Sequence, residues 1–188
     1  MAIVLQKGGK INLTKEAPGL EKVGVGLGWD VNEGGGQAFD LDSSAFLLAA
    51  NGKIPSDEFF VFYNNLRSPD YSVEHKGDNR TGVGEGDDET IYIDLTKINQ
   101  DIAEVLFVVT LHEAETRRLN FGQIDNAFIR IYDLKTGREI GRYDLHEDFV
   151  YENALEFGKL YKKDDQWRFM ALGEGYTTGL QGLVDKYA

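Results

Sequence analysis

From Lys22 to Trp29 the chain alternates strictly, with Val23, Val25, Leu27 and Trp29 on one side and Gly24, Gly26 and Gly28 on the other. A period of two places successive side chains on opposite faces of a strand. A face made only of glycine predicts that another backbone or a ligand approaches it closely. The alternation resumes at Phe39-Asp40-Leu41-Asp42, passes into the apolar stretch Ala45 to Ala50, and stops at an Asn51-Gly52 turn. Phe59 to Tyr63 reads as a dense aromatic strand, and Asn64 to Asp70 carries turn residues.

Further strands are predicted at Ile91 to Leu95, at the continuous apolar run Val105 to Leu111, and at Ala127 to Tyr132. The run Val105 to Leu111 suits a central, buried strand. Asp133 to Arg138 reads as a hairpin loop into Glu139 to Leu145, and Trp167 to Leu172 pairs with Phe157 to Tyr161 across Asp164-Asp165. Ile98, Ile102 and Val105 have helical spacing and predict one short helical turn, while Tyr151 to Phe157 fits a helix or a strand. Leu180, Leu183, Val184 and Tyr187 follow the i, i+3, i+4, i+7 rule of a terminal helix, with Thr177 or Thr178 as its N-cap.

Short strands separated by Gly, Asn and Asp turns predict a mainly β protein: an antiparallel β-sandwich with a few short helices, one at the C-terminus. With 188 residues and no repeat or linker, the expectation is a single domain over residues 1–188. A net charge of −12 excludes sequence-independent nucleic-acid binding and docking on anionic lipid, both of which need Lys and Arg. The absence of cysteine excludes disulfides, thiolate metal sites and a Cys nucleophile. No run reaches membrane-spanning length and Met1 to Lys7 is too short for a secretory core, so the expected location is cytoplasmic.

Charge is concentrated in Gly77 to Glu89, which holds five carboxylates and four glycines. Crowded carboxylates repel by about 1 kcal/mol per pair at ~4 Å even in water. Glycines let the backbone turn tightly and aim its carbonyls inward. A flexible, anionic, oxygen-rich segment is what a hard cation such as Ca²⁺ selects. Asp40 and Asp42 project from one strand face roughly 7 Å apart at ~3.4 Å per residue, and Asp30 ends the glycine-faced strand. Asp30, Asp40 and Asp42 are expected to form one wall of a cation site and the Asp78–Glu89 segment the other. Acidic runs are usually solvated hairpin tips; here the glycine density and the second carboxylate pair on an apolar strand favour the cation site.

Other motifs fail. Asp78 and Glu89 are spaced like positions one and twelve of an EF-hand, but Arg80, Gly82 and Val83 occupy positions that need ligands or the turn glycine. Asp30-Val31-Asn32-Glu33-Gly34-Gly35 has Leu41 where the bidentate Glu belongs. Trp29 stands where a dinucleotide fingerprint needs its third glycine, and Thr116 replaces the second His of a zinc-protease motif. His75, His112 and His146 show no ligand spacing, and Ser43-Ser44 has no glycine elbow or evident base.

The segments Gly26 to Asp30, Phe39 to Leu48, Phe60 to Asn65, Gly77 to Gly82, Gly86 to Glu89, Asn126 to Ile131, Arg142 to Leu145, and Trp167 with Gly173 to Tyr176 resemble the tellurium-resistance TerD-type family across essentially the whole chain. The resemblance implies a β-sandwich binding about two Ca²⁺, with no firmly established enzymatic activity, in resistance to tellurite and other chemical stresses. By motif match the metal ligands are Asp30, Asp40, Asp42, Asp78, Asn79, Glu85, Asp87, Asp88 and Glu89, with backbone oxygens around Thr81 and Gly82 up to Gly86. Val83 and Glu85 sit where relatives often carry further acids, and loss of a ligand at Val83 implies a weaker second ion.

Three functions are carried forward. The first is a non-catalytic Ca²⁺-binding stress protein acting as a calcium-dependent interaction module, with protein partners in a stress-response complex, no nucleic acid and no direct membrane insertion. The second is a metal-dependent enzyme, a hydrolase or phosphate-processing protein, using the same acidic cluster with Arg80, Arg117, Arg118 or Arg130 nearby. The third is an assembly scaffold presenting Phe59, Phe60 and Tyr63.

Overall fold

The alternation from Lys22 to Trp29 is realised as a nine-residue strand, Lys22–Asp30, at the heart of one of two packed sheets. The computed structural model describes residues 2–30, 41–77, 87–117, 120–145, 149 and 151–188. In chain order the strands are β1 (Ile3–Val4), β2 (Lys10–Asn12), β3 (Lys22–Asp30), β4 (Leu41–Ala49), β5 (Phe60–Val61) and β6 (Val73–His75). They continue with β7 (Glu89–Asp94), β8 (Ile102–Leu111), β9 (Asp125–Asp133), β10 (Glu139–Asp144), β11 (Ala154–Lys163) and β12 (Gln166–Tyr176). Short helices α1 (Leu13–Glu16), α2 (Ala114–Arg117) and α3 (Gly179–Tyr187) and two 3-10 turns, Asp57–Phe59 and Phe121–Gln123, complete the described elements.

The first sheet has the order β1-β10-β9-β3-β7-β6 and the second β2-β12-β11-β8-β4-β5. Neighbours are antiparallel except for β1 beside β10. Val23, Val25, Leu27 and Trp29 meet Leu41, Ala45, Leu47, Phe107 and Val109 in the main core between the sheets. The opposite faces of β4 and β8 carry Phe46, Leu48, Leu106 and Val108, which pack with Leu183 of α3 in a second apolar cluster. This double burial explains why β4 and β8 read as continuous apolar runs.

The terminal helix follows its predicted periodicity, with Leu183 buried and Leu180, Val184 and Tyr187 packed on the second cluster. Thr178 occupies the N-cap position without a side-chain cap bond; the Gly179 N–H donates instead to Asn153 Oδ1 at 2.9 Å. At the other end the buried Glu156 carboxylate accepts from Lys186 Nζ at 3.0 Å and from the Tyr187 hydroxyl. The Asp164-Asp165 hairpin forms as expected, with both residues at positive φ (54° and 58°), the geometry of a tight two-residue turn.

Three local expectations are corrected. The helical turn at Ile98, Ile102 and Val105 is absent: Ile102 opens β8, and the carboxylate of Asp94 and the amide of Asn99 accept the N–H groups of Thr96 and Asp101, closing side-chain turns that compete with a helix. The aromatic strand at Phe59 to Tyr63 shrinks to Phe60–Val61, because the Asn65 amide donates to the carbonyls of Glu58 and Phe60 and folds the chain back. Phe60 is buried rather than displayed. The undecided segment from Tyr151 turns into strand from Ala154 onward. Among the described residues no helix is long and apolar enough to cross a membrane.

Asp70 ties the turn before β6 to the turn before β8, accepting from Ser68 Oγ, from Ser72 N–H and Oγ, and from Asn99 N–H. Partial burial works against its charge, but these four bonds outweigh it and hold the carboxyl below its ordinary value. A depressed carboxyl contributes stability above its unfolded pKa and loses it as pH falls through the folded one. Asp70→Asn should therefore lower stability at pH 7 by about 1 kcal/mol after allowance for solvent screening. In urea melts this gap should close as pH falls below about 4; a pH-independent gap would contradict the assignment.

Candidate functional site

The glycine face of β3 is covered by side chains rather than by a second backbone. A Cβ at Gly24 would lie 2.3 Å from the Tyr132 ring, and one at Gly26 would lie 2.3 Å from the Asp87 carboxylate. Asp87 is held there by Arg130 of β9, through Nε to Oδ1 and Nη2 to Oδ2, both at 2.7 Å. The guanidinium in turn lies 4.3 Å from the Tyr132 ring centroid. A bidentate, partly buried pair of this kind fixes orientation as well as charge. The glycines leave room for it: register places Gly26 directly opposite Arg130.

Asp87 leads into β7, and its two successors go to different places. Asp88 docks on the end of β3, donating its N–H to Leu27 O at 2.7 Å and accepting the Trp29 N–H on Oδ2 at 2.9 Å. Burial pushes the Asp88 carboxyl above its ordinary value; the Trp29 bond opposes this, while the charges of Asp87 and Asp30 reinforce it. Asp30, Asp87 and Asp88 thus form one electrostatically coupled group. The Asp30 carboxylate also accepts from the Asn126 amide of β9, a residue held at φ 52°.

Glu89 points inward, between the sheets, and is 2% exposed. Its Oε2 accepts from Ser43 N–H and Ser43 Oγ of β4, each at 2.6 Å, and lies 3.4 Å from His75 Nε2. Its Oε1 is buried and has no hydrogen-bond partner among the described residues. Burial raises the Glu89 carboxyl, against the hydrogen bonds from His75 and Ser43. Leaving a buried acceptor without a donor costs about 1–3 kcal/mol, more for a charged one. Trp29 Nε1 is a second buried atom without a partner there, but as a donor it offers nothing to a cation.

Asp42, 4% exposed, faces away from Ser43, on the α3 side of β4. Its Oδ2 lies 3.5 Å from His112 Nδ1, at the edge of a cleft of about 350 Å³ that also includes Asn153 and the start of α3. Of the remaining expected ligands, Asp40, Asp78, Asn79, Thr81, Gly82 and Glu85 lie outside the described residues, as do Val83, His146, Arg80 and Arg118. Among the described residues no three His, Asp or Glu side chains form a ready ligand set. The donor chemistry nevertheless fits a hard cation: it is all oxygen, it is crowded by like charge, and Oε1 of Glu89 lacks a partner.

Arg130, expected near the acidic cluster, is there, paired with Asp87; sequence reasoning missed the parts of Ser43, His75 and Asn126. Ser43 shares the core-facing parity of Leu41, Ala45 and Leu47, and His75 that of Val73. A polar residue on the apolar side of a strand was the available signal for both. The Arg130–Asp87 pair depends on the β3–β9 register, which has no local signature.

The chain is matched by the TerD domain family over residues 1–187. It is 50% identical over 187 residues to tellurium resistance protein TerD of Serratia marcescens, covering 100% of this chain and 97% of that protein. It is 51% identical over 188 residues to general stress protein 16U of Bacillus subtilis (strain 168), again covering 100% and 97%. A solved homologue of telluride resistance protein (TerD) from Streptomyces coelicolor superposes with a TM-score of 0.70 at 22% identity, covering 88% of this chain and 96% of that one, a likeness of fold.

If Gly26 exists to seat the Asp87–Arg130 pair, Gly26→Ala should lower stability by about 1–3 kcal/mol through overpacking. Arg130→Ala should remove the same contact, so the double variant in urea melts should cost clearly less than the two single changes together. Strict additivity would show that the two positions act independently.

Proposed function

The chain belongs to the TerD family, and on that premise we propose that it is a non-catalytic calcium-binding protein of the stress response, serving resistance to tellurium compounds and related chemical damage in the cytoplasm. Two observations carry the calcium reading: the buried Oε1 of Glu89, without a partner among the described residues, and the mutually repelling Asp30, Asp87 and Asp88 at the end of β3. When bound, Ca²⁺ would supply the positive charge this group lacks. Asp30, Asp88 and Glu89 are the described residues that would hold it, with Asp40, Asp78, Asn79, Glu85 and backbone oxygens at Thr81 and Gly82 as the ligands the family motif adds; Asp42, which the motif also includes, faces the α3 side of β4 beside His112 instead. About two ions fit that number of oxygens at six to eight per ion.

The chain's own residues do the remaining work. Arg130 offsets the charge of Asp87 and fixes it over Gly26, Trp29 and Leu27 anchor the Asp88 backbone and carboxylate, and Ser43 anchors Glu89 to the other sheet. Contacts between positions 59 and 46 residues apart thereby gather the carboxylates at one end of the sandwich. Filling such a site orders the segments that flank it, and this is how a calcium-dependent surface for a protein partner would arise.

Against a hydrolase stands the geometry of Ser43, His75 and Glu89. His75 Nε2 lies 3.3 Å from Ser43 Oγ and 3.4 Å from Glu89 Oε2, but all three residues are buried. Carboxylate and hydroxyl both face Nε2, while Nδ1 accepts the Gly77 N–H at 3.1 Å. A catalytic triad needs the carboxylate on Nδ1 and the hydroxyl open to substrate. Arg130, the described guanidinium that pairs with the acidic group, is spent on Asp87.

Saturating Ca²⁺ should raise the melting temperature of the calcium-free chain, the gain amounting to about 2.7 kcal/mol at a hundred times Kd, and chelator should reverse it. Equal melting curves with Ca²⁺ and with chelator would end the calcium reading.

A further inference from the structure

We infer that Ser43 and His75 are positioning residues: they hold Glu89 by one oxygen so that the other is kept free for a hard cation. The inference rests on the calcium reading above and assigns a task to two residues that the acidic motif does not contain. The hydrogen bonds run in one direction. Gly77 N–H donates to His75 Nδ1 at 3.1 Å, so Nδ1 carries the lone pair and the ring proton sits on Nε2. Nε2 lies 3.3 Å from Ser43 Oγ and 3.4 Å from Glu89 Oε2. Ser43 Oγ spends its own proton on Oε2 at 2.6 Å, leaving its lone pairs to the imidazole. With the Ser43 N–H also at 2.6 Å, every described donor near this carboxylate converges on Oε2.

A carboxylate gripped in this way cannot rotate to share its donors, and Oε1 is left buried with none among the described residues. A purely structural carboxylate would have both oxygens paired, since an unmet acceptor in the interior is unfavourable. The arrangement suits a ligand that must present a single oxygen in a fixed direction, and partners that orient a metal ligand are commonly worth 10- to 100-fold in affinity. The relay also spans the stems of the acidic segment, from the Gly77 backbone before it to Glu89 after it, through a serine of the opposite sheet. Two sheets and both stems therefore set the aim of one oxygen.

Calcium titration calorimetry on the full chain tests this, with calcium-free melting temperatures recorded alongside. Glu89→Gln should abolish the tightest binding phase. Ser43→Ala and His75→Leu should raise its Kd about 10- to 100-fold, while Ser43→Thr and His75→Gln, which keep a donor in place, should restore it. In the wild-type chain the ring ¹⁵N shifts of His75 should show a bare Nδ1 and a protonated Nε2. Wild-type affinity in Ser43→Ala and His75→Leu, together with a lowered calcium-free melting temperature, would overturn the inference and leave the two residues a structural role. Undiminished binding by Glu89→Gln, or a protonated Nδ1, would overturn it as well while leaving the calcium reading intact. No binding by the wild-type chain would overturn both. Should Ser43→Ala or His75→Leu fail to fold, Ser43→Thr, His75→Gln and the wild-type ring shifts decide.

Discussion

Negative charges gathered at a partly dry surface repel one another unless a positive charge joins them. Asp30, Asp87 and Asp88 meet this condition at the end of β3, with one described guanidinium paired to Asp87, and the next residue, Glu89, is buried. Arg130 is bidentate to Asp87, and its charge is largely used there. Burial and neighbouring carboxylates push Asp88 upward, and burial pushes Glu89 upward, so the surroundings of both disfavour the charged form. Much of the local architecture follows from accommodating that group. Glycines on β3 make room for Asp87, backbone N–H groups are aimed at Asp88 and Glu89, and a serine stands where the core would otherwise take an apolar residue.

The scaffold that imposes this arrangement is stiff because both of its sheets are anchored well away from the site. β4 and β8 are buried on both faces, by the first sheet on one side and by α3 on the other. α3 is fastened at its start by Asn153 and at its end by Glu156, the latter holding both Lys186 and Tyr187. Asp42 lies on that α3 side of β4 and Ser43 on the core side, so one strand contributes polar groups to two different environments one residue apart. A one-residue slip in β4 would exchange them, and the dense apolar pattern on both faces opposes such a slip.

The period-two pattern and its turn residues made the sandwich legible: the alternation of Lys22 to Trp29, the apolar run into β8, the Asp164-Asp165 hairpin and the terminal helix all stand where local chemistry puts them. Elements of two or three residues, β1, β2 and β6, carry too little pattern to be seen, since partners distant in sequence create them. Ile98 to Val105 misled because its spacing is compatible with a helix, while Asp94 and Asn99 favour turns by bonds that periodicity does not register. For the site, the composition of the acidic segment was evident, as was the carboxylate ending β3. The contribution of Ser43 and His75 was not, nor was the pairing of Arg130 with Asp87 in particular, because each depends on strand register or on packing between sheets. The glycine face was rightly read as a place of close approach, but a side-chain carboxylate and a tyrosine ring fill it rather than a backbone.

A sandwich whose carboxylates are drawn together from separate strands differs from a helix–loop–helix calcium site, where one continuous segment supplies the ligands. On the proposed calcium reading the affinity would depend on the tertiary fold, coupling binding to folding. Equilibrium dialysis of the intact wild-type chain against radioactive Ca²⁺ near 0.15 M salt, where diffuse surface attraction is largely screened, counts the bound ions directly. The account predicts about two ions per chain, lost when the chain is unfolded in urea. Retention no greater than that of the unfolded chain would contradict it.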